Sequence, residues 1–161
     1  MNANVKIATR RSLRQGAVAV EFAVVAPVLM AIVGGMIELN RVFDAQNLLE
    51  SAAREGARLA CMDREGMLSD GQSANDKLVS DVQNFLESNG IPAENVGVSV
   101  THADNPEADF NLDDPANDLA LFEVSVTIDY STVSYAPVPA ESDYPLAASV
   151  VFRNGIVTIS D

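Results

Sequence analysis

Few side chains in this sequence have a type and spacing that chemistry could use. Glu21 is the most unusual of them. It is the first carboxylate of the chain, stands five positions after Gly16, and opens an uncharged stretch, residues 22–37. A charge at the centre of a bilayer costs at least about 2.5 kcal/mol unless it is paired. A carboxylate in such a place calls for a partner, or else reaches back to the aqueous interface, where it also favours a helix N-terminus. Asp109, Asn111 and Asp113 alternate like the first ligands of an EF-hand loop, but Asp114 holds the place of the turn glycine and Ala120 that of the bidentate glutamate. A solvated acidic loop is the simpler reading. His102, the only histidine, has no cysteine partner and no nucleophile motif beside it. Cys61 is the only cysteine, which excludes an internal disulfide and a multi-cysteine metal site; it reads as a small apolar contact. There is no nucleophile elbow, no pair of histidines and no glycine-rich phosphate loop. Neither an enzyme nor a bound cofactor or metal is expected.

The elements that must position Glu21 follow from charge and hydropathy. The formal net charge is -13, unevenly spread: Lys6, Arg10, Arg11 and Arg14 precede every acidic residue, while the rest of the chain is strongly acidic. Phosphate-mediated binding of nucleic acid is therefore disfavoured. A helix over residues 17–37 would measure about 32 Å, against a bilayer core of about 30 Å. We read it as a membrane span, with the arginine cluster on the cytoplasmic side and everything after Glu38 outside. A secretory signal peptide shares the basic-then-apolar plan, but this apolar run is longer, carries Glu21 near its start, and has no A-x-A-like site after Ile37. Ala19, Ala23, Pro27, Ala31 and Gly35 recur every four residues, a stripe where a neighbouring helix could approach.

Beyond the span, Leu39, Val42, Phe43, Gln46, Leu49, Ala53, Gly56, Ala57 and Ala60 continue a three-and-four spacing, so the same helix is predicted to run to about Ala60. Glu38, Glu50 and Glu55 lie three or four residues from Arg41, Arg54 and Arg58, at the spacing of helix-surface ion pairs. Gly56 weakens a helix relative to alanine by about 1 kcal/mol, which suggests that another backbone or strand passes close to it. Ser73 with Asp76 resembles a capping box, and Leu78, Val79, Val82, Phe85 and Leu86 give the next segment an apolar face until Asn89 and Gly90 close it. Residues 96–100 and 122–130 alternate as half-buried strands, and 146–152, Asn154-Gly155 and 156–159 read as a closing hairpin. Residues 104–118 and 136–145 read as surface loops. The expected class is α+β: a long N-terminal helix, transmembrane in its first half, packed against a small antiparallel sheet with a second short helix. The expected divisions are a basic cytoplasmic leader over 1–16, the transmembrane helix over 17–37, its extracytoplasmic continuation over 38–65, and an acidic periplasmic domain over 66–161.

The junction 14–22, Arg-Gln-Gly-Ala-Val-Ala-Val-Glu-Phe, resembles a type IV prepilin cleavage site. Gly16 presents no side chain to obstruct a peptidase, and cleavage after it would make Ala17 the new N-terminus. With Glu21-Phe22, the apolar run, Glu38-Leu39-Asn40-Arg41-Val42-Phe43 and Ala52-Ala53-Arg54-Glu55-Gly56-Ala57-Arg58, the sequence is similar to the TadE family of minor pseudopilins of the tight-adherence (Tad) pilus. The similarity is dense from about Arg10 to Ala60, also covers a hydrophobic tail ending in a strand like Ala148 to Arg153, and is sparse over 67–142. The resemblance implies a minor pilin-like subunit that helps assemble or initiate a type IVb pilus, with no catalytic residue. It implies processing by a prepilin peptidase at Gly16 and Ala17, and assembly contacts through Glu21 and Phe22, with the Ala17 amine of an adjoining subunit as the partner of Glu21. The implied partners are that peptidase, other pilin-like subunits, the inner-membrane assembly platform and the membrane itself. The alternative is a permanently anchored periplasmic binding module, which would keep residues 1–16.

Overall fold

The computed structural model of the protein describes residues 4–62, 68, 69 and 71–155, with side chains from residue 18 onward. The chain divides into two compact units, 1–40 and 41–161. The class is α+β: a long helix, a second short helix and one four-stranded antiparallel sheet.

Helix α1 runs Asn4–Ala60. Its C-terminal end lies where the apolar periodicity predicts, but its start precedes the expected Ala17, since the leader contains no proline and the one glycine before Ala17 only weakens a helix. Within the second unit, α1 buries Ala45, Leu49, Ala52, Ala53, Ala57 and Ala60. Leu39 and Phe43, expected on that face, are exposed instead. All six buried positions carry alanine or leucine without branching at Cβ, and the smallness of alanine lets other elements come close to the helix axis.

Helix α2 (Ala74–Ser88) starts where Ser73 caps it: the Asp76 N–H donates to Ser73 Oγ (3.0 Å), and the Ser73 hydroxyl donates to Asp76 Oδ2 (2.6 Å). It ends with Gly90 at φ +90° and the Ile91 N–H donating to Leu86 O, a left-handed C-terminal turn that L side chains adopt with strain. Ala74, Leu78, Val82 and Leu86 form its buried face. Gly56 of α1 meets that face. A Cβ built on Gly56 would stand 2.5 Å from Val82 Cγ2, so the close neighbour is a side chain of α2 and not the backbone or strand that the sequence suggested.

The sheet comprises β1 (Gly97–His102), β2 (Asn105–Asp109), β3 (Leu121–Asp129) and β4 (Pro145–Arg153), in the order β2-β1-β3-β4. Phe122, Val124, Val126 and Ile128 of β3 are buried, flanked by Val100 on β1 and by Leu146 and Ala148 on β4. They form one core with the α1 and α2 faces. Strand β2 lies inside the segment read as an acidic loop. Asn105, Pro106, Glu107 and Asp109 hide its extended pairing because an edge strand can carry proline and charge that a central strand cannot.

The other expected turn also differs. Asn154 is buried: its N–H donates to Ala120 O (2.8 Å), and its side-chain amide donates to Leu112 O (3.3 Å) and Asn117 O (3.2 Å). Asn154 thus ties β4 to the 110–120 segment. Gly155, at φ +135°, passes so near Leu119 that a Cβ would lie 3.1 Å from the Leu119 nitrogen. The predicted return strand, 156–159, lies outside the described residues.

Candidate functional site

The exposed half of α1 is the candidate site, because it is where the sequence concentrates apolar surface around one carboxylate. In a soluble helix the apolar residues face a core. Here Val18, Val20, Phe22, Leu29, Met30 and Met36 are all more than half exposed, and residues 18–37 contain no buried position. Within Val18–Ala60 the mean hydropathy of the most apolar window reaches 2.2 with none of it buried. This helix is long and apolar enough to cross a membrane.

Gly16 and Ala17 fall within the backbone of α1, one turn before Glu21. Glu21 and Phe22 are both exposed, Phe22 at 68%. Pro27 sits inside the helix, where it removes one backbone donor. Among the described residues, a Cβ on Gly34 or Gly35 would meet nothing within 4 Å.

The arginines after the apolar run divide into two uses. Arg54 pairs with Glu50 (3.0 Å) and Arg58 with Glu55 (2.7 Å), as the helix spacing predicts. The Arg58 hydrogen bond holds the Glu55 carboxyl below its ordinary range and raises the guanidinium. Arg41 reaches across to the segment after β3. Its Nε donates to Val133 O (3.0 Å), Nη1 donates to the Tyr135 hydroxyl (2.8 Å), and the guanidinium lies 4.0 Å from the centre of the Tyr135 ring. Sequence spacing carried no sign of this contact, because Arg41 and Tyr135 are 94 positions apart.

That segment is itself held together. Tyr130 and Tyr144 stack with ring centres 4.9 Å apart, and the Tyr130 N–H donates to Tyr144 O. The Ser131 N–H donates to Asp143 Oδ1 (2.9 Å), and hydrogen bonding from Ser131 holds the Asp143 carboxyl low.

The remaining polar candidates serve the fold. His102 ends β1 and packs edge-on against Phe110 with centroids 4.7 Å apart. Cys61 lies partly buried against the core and its thiol donates to Arg153 O (3.1 Å). Of the EF-hand-like residues, Asn111 accepts from the Asp113 N–H (3.0 Å), and Asp113 Oδ2 accepts from the Ala74 N–H at the start of α2 (2.7 Å). Asn75 adds two more ties, donating to Phe110 O and accepting from the Leu112 N–H. Among the described residues no group of three or more His, Cys, Asp or Glu could hold a metal ion.

The long apolar helix, the second short helix and the antiparallel sheet agree with the α+β class expected from hydropathy and periodicity. Residues 16–58 match the TadE-like protein family. The match begins at the expected cleavage residue Gly16, and the TadE-like segment takes in Glu21, Phe22, the whole apolar run and most of the buried face. The sheet and α2 lie beyond it. No curated protein and no solved structure matches the chain.

Proposed function

We propose that this protein is a minor pilin-like subunit, structural in role, that takes part in assembling or initiating a Tad, type IVb pilus. In this reading residues 1–16 are a cytoplasmic leader, 17–37 span the inner membrane, and the helix continuation with the acidic domain, 38–161, lies in the periplasm. A prepilin peptidase cuts after Gly16. The freed Ala17 amine of one subunit then pairs with Glu21 of the next, while Phe22 adds apolar contact. Partners are the peptidase, other pilin-like subunits and the assembly platform in the inner membrane.

The observation that supports this most is that the family match starts at Gly16 and runs through an apolar helix whose side chains, from Val18 to Ile37, are not buried by any of the described residues. Uncovered apolar area of that extent requires lipid or a partner helix. Glu21 would stand near the membrane boundary, where an unpaired charge is costly and an adjoining amine relieves the cost.

The test is the N-terminus and intact mass of the membrane-bound protein, made with and without the peptidase. A start at Ala17 that depends on the peptidase supports the proposal. Retention of residues 1–16 in the presence of active peptidase overturns it and leaves an anchored periplasmic binding module.

A further inference from the structure

The loop between β3 and β4 carries an exposed aromatic side chain fixed to α1 just past the apolar run. Arg41 follows Ile37, the last residue of the apolar run, by four residues in the chain. Its guanidinium holds Val133 O and the Tyr135 hydroxyl and faces the Tyr135 ring. The Tyr130–Tyr144 stack and the Asp143 tie to Ser131 set the rest of the loop. Within unit 41–161, Tyr135 at 70% and Phe43 at 64% are the most exposed of the large apolar and aromatic side chains among the described residues. Both lie at the Arg41 end. Such exposure is unfavourable in water, and amphipathic rings of this kind gather at the level of lipid headgroups.

We propose that this loop is a membrane-contact surface: Tyr135, clamped by Arg41, inserts at the headgroup boundary of the bilayer that α1 crosses. The inference rests on the membrane-anchor reading and adds a second point of attachment for the domain. The occupant is lipid because Arg41, which holds Tyr135, follows the last residue of the apolar run by only four residues in the chain. The exposed Asp129 and Glu141 carboxylates of the same loop region favour zwitterionic over anionic headgroups. One helix alone leaves a domain free to rotate and tilt; an aromatic anchor beside it limits both.

The protein contains no tryptophan, so Tyr135→Trp introduces a single indole that can still stack on Arg41. Leu121→Trp supplies the distant reporter. Leu121 starts β3 opposite Arg153, and Tyr135 follows the other end of that strand, which lies about 26 Å from Leu121 at 3.3 Å per residue. The full-length variants are placed in phosphatidylcholine vesicles with bromine on the acyl chains, either near the glycerol or near the chain terminus. Co-flotation is measured first, and wild-type melting behaviour confirms that each variant is folded. The expected result is a blue-shifted position-135 emission that loses most of its intensity to shallow bromine and less to deep bromine, with position 121 unquenched. If the protein floats but position 135 is no more quenched than position 121, the proposal is overturned and the anchor stands. A blue shift at 135 without bromine quenching also overturns it, because protein then covers the ring. Failure to float removes the anchor reading, and the proposal with it.

Discussion

One helix contains two regions with opposite environments. Residues 22–37 of α1 are apolar on every side and have no buried position, whereas from Ala45 to Ala60 the same helix hides one alanine-rich face and points Arg54, Arg58 and Glu50 outward. The first region has more apolar side chains yet contributes nothing to a core. Hydrophobicity sets the need for cover; the pattern around the helix decides what provides it. A uniformly apolar surface suits lipid, and a one-sided surface suits α2 and the sheet.

The comparison breaks most sharply at Leu49, fully buried in the second region. Leu49→Ala should lower domain stability by about 2 to 5 kcal/mol by leaving a cavity, with unchanged membrane association. Denaturant melts and flotation measure the two. Val28→Arg in the first region should do the reverse. It costs membrane insertion about 3 kcal/mol at the helix centre and leaves the domain's melting midpoint where it was. Equal effects of both variants on both properties would erase the distinction between the two regions.

Gly56→Ala sharpens the account of the buried face. Alanine is the better helix former by about 1 kcal/mol, but overpacking typically costs about 1 to 3 kcal/mol, and the β-branched Val82 has little rotamer freedom to move aside. A net loss of about 1 kcal/mol is expected, recovered in part when Val82→Ala is added, by a double-mutant cycle. A net gain would mean that the two helices separate easily. Ser73→Ala should cost about 1 kcal/mol through loss of the α2 cap, again with no change in membrane association.

The smallest effect concerns acid. Asp143 and Glu55 have folded pKa values below their ordinary ones, so each binds its proton less readily when folded. Their contribution to stability is complete above the ordinary carboxylate range, about pH 4, and is lost as the pH falls through the lower folded values. Asp143→Asn should make the domain's melting midpoint less sensitive to pH below about 4, while flotation stays constant.

Much of this was legible because the deciding signals are local. The apolar run, the periodicity to Ala60, the Ser73 cap, the Asn89-Gly90 stop and the alternation in β1 and β3 each lie within a few residues of what they determine. Gly16, Ala17, Glu21 and Phe22 were singled out instead by the resemblance of residues 14–22 to a prepilin cleavage site, a short local motif. Sequence alone determined that the chain has an apolar helix, an amphipathic continuation and a small α+β domain, since composition and periodicity fix which surfaces water rejects. Only the tertiary structure decided that Arg41 leaves the helix-surface pattern for Val133 and Tyr135, that the proline-bearing 105–109 segment joins the sheet edge, that Val82 fills the space above Gly56, and that Asn154 is a buried tie. Each of these depends on a partner far along the chain, and spacing within a segment holds no record of what folding brings against it.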